Sequence, residues 1–373
     1  MKKISFLALH LGYGGIEKAI TTLANNLSSD YQVEIVSTYE LYDKPAFDID
    51  SKVKVTYLKK GLKPNKDKVI YAFKHFKIFS LIKEVFNSFN ILRLRKKLMV
   101  DYIKNSDSDI IISARDIHNF WLGKYGSDKA LKIAWEHNHH HGNMKYAKKI
   151  ARSIKNVDYA VFVSESLRKF YSSYSSTKCV YIPNMLPSQS NVVSDLKDNN
   201  IISVGRLSKE KGHSDLIDVF KLVHDKNNNI KLNIVGDGEE KENIENKIKE
   251  LDLTDSVIMH GFRDSKYIEN LLLESSLFVM TSYTESFGIV LIESMNFGVP
   301  VIAFDSAEGA RDLIDGKNGV LIKNRNFEEM ADYIIKIMDD RDYRIKMGKY
   351  GKDFSLKYSP KNITEKWLKL FER

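Results

Sequence analysis

Apolar and polar positions along the chain fall into two successive series of the same kind. Short apolar runs of about four to eight residues, rich in Val and Ile, recur between turn residues. In the first half these are KISFLAL, QVEIVST, DIIISA, KIAWEHN, YAVFVS and CVYIPN. In the second half they are IISVGR, KLNIVGDG, SVIMHGF, LFVMTS, PVIAFD and GVLIK. Segments with helical spacing, such as IEKAITTLANNLSS and HSDLIDVFKLVHDKN, lie between many of them. Continuous apolar strands separated by helices predict parallel sheets covered on both faces. The expected fold class is therefore α/β, with two doubly wound (Rossmann-like) parallel-sheet domains facing a cleft. The expected boundaries are 1–187 for the first domain, a polar, turn-rich linker at 188–199, and 200–357 for the second.

Composition narrows the class. The chain has 373 residues, 43% hydrophobic and 29% charged, which suits two globular domains. Its one cysteine, Cys179, allows no internal disulfide and no cysteine cluster for zinc, and fits a reducing, cytoplasmic setting. The opening MKKISFLALHLGYGG has a basic tip and a short apolar run. It reads as a buried first strand instead of a signal peptide, because the run is only about six residues and no small-residue cleavage site follows. No apolar run approaches the roughly 20 residues that span a bilayer.

The net charge of +9 is unevenly spread. Between Lys59 and Lys97 twelve lysines and arginines stand against Asp67 and Glu84 only, interleaved with Tyr71, Phe73, Phe76, Phe79, Phe86 and Phe89. Such a mixture suits an anionic membrane surface, and so a peripheral location at the inner face of the plasma membrane. A solvated helix pair with an aromatic core face is the plainer alternative. Nucleic acid is not expected as a partner, since no RNA-binding or helix-turn-helix signature accompanies the charge.

In doubly wound sheets ligands sit outside the carboxyl ends of the strands, so residues there carry the candidate chemistry. After the first strand, Gly12, Gly14 and Gly15 open a helix whose N–H groups could meet an anion, with Gly15 the candidate contact. This is not the dinucleotide fingerprint, because its third glycine would fall at Glu17; a plain tight turn is equally compatible. KIAWEHNHHHGN ends in His137, His139, His140 and His141 beside Glu136. Neighbours on one loop rarely converge on one ion, and no second group completes a metal site. A single strand-end histidine facing a substrate is the better reading.

The second half opens with SVGRLSKEKGHSDLI. Gly205 and Arg206 end the strand, and Lys211 and Gly212 precede a helix expected near Ser214. Two cations so placed would hold a diphosphate, Arg206 by its planar fork and Lys211 as a point charge; an ordinary surface pair is the alternative. VGDGEE places Gly236 and Gly238 at the next turn, and MHGF places Gly261 and Phe262, followed by Arg263, at another. Finally, YTESFGIVLIESMNFGVPVIAFDS sets Glu285 and Glu293 eight positions apart in an otherwise apolar or small-residue stretch. DID at 48–50 and DSD at 107–109 read as solvated turns, not metal clamps.

With GRLSKEKG and the E-x7-E stretch both present, the chain resembles the family 4 glycosyltransferases of the GT-B fold. GGIEKAI, VSES, YIPN and GKNGVLI also read as that family does, so the likeness covers nearly the full length. The resemblance implies a retaining transferase that moves a hexose of the Glc, Gal or GlcNAc type from a nucleotide diphosphate sugar, UDP-linked by preference. The acceptor would be a glycan or a lipid-linked glycan, in bacterial surface polysaccharide assembly such as capsule or lipopolysaccharide. It implies no metal and no cofactor. Glu285 would bond hydroxyls of the donor hexose and Glu293 the ribose, about two helical turns apart if the helix begins near Phe287. The N–H groups of Phe287, Gly288 and Ile289 would face the diphosphate. Arg206 and Lys211 would neutralise the leaving group. His137, with His139 as fallback, would touch the donor sugar. Ser164, Asn184, Gly205, Gly238, Phe262 and Arg263 complete the implied donor site. The segment 358–373, with Ile363, Trp367, Leu370 and Phe371 on one face, would pack back on the first domain as part of a hinge. One departure is Asp312, where the family commonly has Glu; Gly309 is kept. A sugar-nucleotide epimerase on the same fold and a non-catalytic membrane-docked module are the alternative functions.

Overall fold

A computed structural model describes residues 1–140 and 142–372. The chain forms two compact units. The first comprises Met1–Ile182 and the chain from Thr364 onward; the second is Pro183–Ile363.

In the first unit β1 (Lys3–Ala8), α1 (Gly15–Leu27), β2 (Gln32–Ser37), β3 (Lys54–Tyr57), α2 (Lys66–Lys74) and α3 (Ile78–Asn105) come first. They are followed by β4 (Ile110–Ser113), α4 (Asp116–Tyr125), β5 (Leu131–Glu136), α5 (Met144–Ser153), β6 (Tyr159–Phe162), α6 (Glu165–Tyr174) and β7 (Lys178–Tyr181). The strands make one parallel sheet in the order β3-β2-β1-β4-β5-β6-β7. β3, KVTY, was not legible as a strand because it lies at the sheet edge with no fully buried residue, and so carries no continuous apolar run.

The second unit holds β8 (Asn200–Val204), α7 (His213–Lys226), β9 (Lys231–Val235), α8 (Lys241–Glu250), β10 (Val257–Gly261), α9 (Ser265–Leu273) and β11 (Leu277–Met280). Then come α10 (Ile289–Asn296), β12 (Val301–Phe304), α11 (Glu308–Leu313), β13 (Gly319–Ile322), α12 (Phe327–Asp339) and α13 (Arg341–Ser355). Its parallel sheet runs β10-β9-β8-β11-β12-β13. Leu216 and Phe220 of α7 and Met330 and Ile334 of α12 join the strands in one buried core. Both sheets are doubly wound, as the alternation of apolar runs and helices predicts. Each reverses its direction of growth once, between β1 and β4 and between β8 and β11. At such a switch point two neighbouring loops diverge, and the crevice between them is where a ligand is held.

Residues 188–199, polar enough to read as a linker, are built into the second unit. The Ser190 N–H donates to the Asn296 side chain, the Ser194 N–H to the Phe297 carbonyl, and Leu196 is buried. The last helix, α14 (Pro360–Phe371), enters the first unit from Thr364. There Trp367 meets the Trp135 ring edge-on at 5.0 Å, and Phe371 meets Tyr31 at 5.8 Å.

The α2–α3 pair departs from the plainer expectation. Its aromatic residues are not a core face: Tyr71, Phe73, Phe76, Phe79, Phe86 and Phe89 are all exposed. Among the described residues no helix is long and apolar enough to cross a membrane.

Candidate functional site

The loops at the β8/β11 switch point bring together residues far apart in the chain. After β8, Gly205 donates its N–H to the Val235 carbonyl, and Arg206 leads into a 3-10 turn at Lys209–Lys211. After β11, the Tyr283 N–H donates to the Glu210 carbonyl at 2.8 Å, tying the second loop to the first. The tie sets Lys211 Nζ 2.6 Å from Glu285 Oε2, both side chains partly shielded from solvent. Arg206 is more exposed and pairs with Glu210 of its own loop.

Two glycines make the close packing possible. Gly212 has a left-handed φ of 66°, and a Cβ there would lie 2.2 Å from the Thr281 carbonyl oxygen. Gly309, on α11, would place a Cβ 2.5 Å from the Phe287 backbone, and its N–H donates to the Glu285 carbonyl at 2.7 Å. The loop that carries Glu285 and Phe287 is thus fixed from both sides.

The helix geometry differs from the sequence expectation. α10 begins at Ile289, not near Phe287, because Gly288 is left-handed at φ 85° and cannot continue a right-handed helix. Glu285 therefore stands in the turn before the helix. Glu293, one turn into α10, is partly exposed between buried Ile292 and Ser294. The Leu291 N–H of α10 donates to the Gly288 carbonyl at 2.9 Å, while the N–H groups before it, from Phe287 to Val290, stand at the helix N-terminus.

Phe262 and Arg263 follow β10 on the exposed side, with the Arg263 guanidinium 4.8 Å over the Tyr267 ring. Beneath them His260 bonds Tyr267 and Asn233, and burial with Arg263 lowers its pKa. Gly238 lies against the Leu207 backbone, and Asn184 opens the second unit with its side-chain oxygen buried.

The other strand-end residues singled out in the sequence lie in the first unit. Gly15 is the first residue of α1. Two positions on, Glu17 is buried and accepts from Arg115 Nη2 at 2.5 Å. This pair spans the β1/β4 switch point, as Lys211 and Glu285 span the other. Ser164 caps α6, accepting the Leu167 N–H, and is buried. His137 is also buried, its ring 4.5 Å from that of Trp135. Its Nε2 has no hydrogen-bond partner among the described residues. Burial, helped by Arg115, pulls its pKa down to about 3, so the imidazole is neutral at ordinary pH. His139 and His140 stack on each other at 4.5 Å, and His140 on Phe170 at 4.0 Å. His141 lies outside the described residues. Among the described residues no group of His, Cys, Asp and Glu could hold a metal ion.

Sequence reasoning noted Glu136 only as a neighbour of the histidines and passed over Asn119 and Arg115. Glu136 is buried and accepts from Asn119 Nδ2 at 2.5 Å. Burial first, and Asp116 next, push its pKa up to about 8, against the opposing pull of the Asn119 bond, Arg115 and Lys149. The unfolded carboxyl ionises near 4.5, so the folded first unit keeps a proton that the unfolded chain has lost. That contribution is whole below pH 4.5 and is lost as pH rises toward 8. Buried His118 and His137, both held near 3, act in the opposite sense, but only below about 6.5. We expect the first unit to lose stability from about pH 6.5 to 8, and a Glu136→Gln protein to lose less. All three tryptophans lie in that unit, so tryptophan fluorescence during urea unfolding reads it directly. Equal pH slopes in the two proteins would show Glu136 to be ionised in the fold.

Three comparisons bear on this arrangement. Residues 188–354, nearly the whole second unit, match the family model described as Glycosyl transferases group 1. An uncharacterized glycosyltransferase of Haemophilus influenzae is 30% identical over 382 aligned residues, covering 98% of this chain and 99% of that one. A Campylobacter jejuni protein is 29% identical over 99% of this chain and 98% of its own length. It is named as an α-1,4-N-acetyl-D-galactosaminyltransferase acting on a GalNAc-containing undecaprenol diphosphate glycan. Among solved structures, a variant of S. aureus TarM in complex with fondaparinux, α-GlcNAc-glycerol and UDP is similar over all of both chains. Its TM-score is 0.79 at 20% identity.

Proposed function

The chain belongs to the group 1 glycosyltransferases, and from that membership we propose that it transfers a hexose, with retention, from a UDP-sugar to a glycan or lipid-linked acceptor in bacterial surface polysaccharide assembly. The observation that carries the proposal is the Lys211–Glu285 pair, 2.6 Å long, at the β8/β11 switch point beside the N-terminus of α10. A nucleotide diphosphate sugar offers what these groups bind. Lys211 and Arg206 would meet the diphosphate, the amides of Phe287, Gly288 and Ile289 its oxygens, Glu285 the hexose hydroxyls and Glu293 the ribose. As the anomeric C–O bond breaks, its electrons go to the diphosphate, whose growing charge Lys211 and Arg206 offset. The acceptor hydroxyl attacks from the same face and gives its proton to the departing phosphate. Neither metal nor enzyme nucleophile enters this scheme. His137 enters it only as a neutral group, because its pKa near 3 leaves it uncharged, with one ring N–H as a hydrogen-bond donor.

The donor and acceptor classes draw support from the relatives, since the Campylobacter enzyme is named for a lipid-linked glycan and the TarM structure holds UDP. A calorimetric screen of UDP, GDP, ADP and their common sugars tests the donor. Glu293→Ala should weaken nucleotide binding by about 10- to 100-fold, the loss of charge-assisted hydrogen bonds to paired hydroxyls. Unchanged affinity would remove Glu293 from the site.

The same reading places Lys59–Lys97 on an anionic membrane surface, at the cytoplasmic face where a lipid-linked acceptor would be offered.

A further inference from the structure

Exposed apolar surface is concentrated in one part of the chain. Phe73, Phe76, Phe79, Ile82, Phe86 and Phe89 are all open to solvent, Phe76 and Phe79 each 90% exposed. No residue of α3 before Met99 is fully buried: Leu81, Glu84, Ser88, Ile91, Leu94 and Leu98 make a half-buried side that meets α2 and α4, and the other side is open to solvent over about 30 Å at 1.5 Å per residue. Phe79, Ile82, Phe86 and Phe89 follow at spacings of three and four and form one stripe, the kind that ordinarily faces a core. Phe76 is the most telling of these residues. It sits at the α2–α3 turn with a left-handed φ of 51°, a conformation that suits glycine and strains a bulky residue. A phenylalanine is kept there although its ring packs on almost nothing in the fold. Cations border the apolar surface: Lys77 lies 4.7 Å over the Tyr71 ring and Arg93 5.4 Å over Phe89.

We infer that the α2–α3 hairpin inserts its aromatic tip, Phe76 and Phe79 foremost, below the headgroups of an anionic bilayer, while the lysines and arginines around it hold the phosphates. The inference rests on the reading of Lys59–Lys97 as a membrane contact and adds insertion to it. An amphipathic element with aromatics on one side and cations beside them partitions into the interfacial layer by both terms at once. A second copy of the chain is the competing occupant, and charge argues against it. Twelve cations and two carboxylates would meet their own duplicate, whereas anionic headgroups complement them. The stripe also falls short of the three or four heptads that sustain a coiled coil.

A Phe79→Trp protein tests insertion. The native tryptophans, Trp121, Trp135 and Trp367, are all buried, so the new indole supplies the exposed emission. Phosphatidylglycerol–phosphatidylcholine vesicles with brominated acyl chains should quench it. A Phe76→Ser/Phe79→Ser protein should partition onto unbrominated vesicles roughly tenfold or more weakly than wild type, with nucleotide binding in the second unit intact. Binding without quenching, abolished by salt and indifferent to the two serines, would overturn insertion and leave only charge adsorption. No vesicle binding by wild type would overturn both insertion and the membrane reading, while transfer to a soluble acceptor would still stand or fall separately. A dimer in sedimentation that the serines dissociate, without vesicle binding, would assign the surface to a second copy and overturn the proposal.

Discussion

Lys211→Ala should lower the transfer rate by about 10²–10³-fold, the usual loss when a preorganised charge facing a leaving group is removed. The fall should appear mainly in kcat, because charge on the diphosphate is greatest as the glycosidic bond breaks. Stability should hardly move. The Lys211–Glu285 pair is partly exposed, and pairs of that kind contribute little to folding. The partner substitution separates the roles further. In the free protein Lys211 is engaged by Glu285, so a bound diphosphate must compete with that carboxylate. Glu285→Ala should therefore bind bare UDP as well as wild type or better, yet bind the UDP-sugar more weakly. Calorimetry with both ligands, alongside single-turnover transfer by Lys211→Ala, checks the pair. If Lys211→Ala melted early and its activity followed the folded fraction, the pair would be a structural bridge and the catalytic assignment would fail.

Trp367→Ala should destabilise the first unit by about 3–5 kcal/mol, the range for removing a large aromatic from a closed core. Trp367 is fully buried against Trp135, with Leu370 and Phe371 buried on the same helix. The residue lies far along the chain from the strands it covers, so its loss opens a cavity that nearby loops cannot fill. Trp121 and Trp135 remain as reporters of that unit's urea transition. The second unit should keep its nucleotide affinity. Trp367→Phe should recover most of the loss, since the edge-on ring contact survives. An unchanged midpoint in Trp367→Ala would mean that the last helix only lies on the first unit without holding it.

Much of this was legible in the sequence because burial on both faces of a parallel strand leaves a continuous apolar run. The strands of the second sheet stand where IISVGR, KLNIVGDG, SVIMHGF, LFVMTS, PVIAFD and GVLIK predicted them. β3 escaped because an edge strand of KVTY needs no such run. The start of α10 was misjudged by two residues because a left-handed Gly288 is invisible in a pattern of apolar spacings. His137 is buried, its ring against that of Trp135, a depth that spacing along one strand could not reveal.

The sequence by itself determined the alternation of strands and helices, the two-unit plan, the family likeness carried by Arg206, Lys211, Glu285 and Glu293, and the charge excess of 59–97. These are local or compositional properties, set by neighbours in the chain. Only the tertiary structure decided which distant residues meet. Lys211 finds Glu285, and Arg115 finds Glu17, because a doubly wound sheet sets β8 beside β11 and β1 beside β4 and turns their loops apart. Exposure was likewise decided there. The same phenylalanines that could have formed a core face are open to solvent because α3 turns a different side, with Leu81, Glu84, Ser88, Ile91 and Leu94, toward its neighbours α2 and α4.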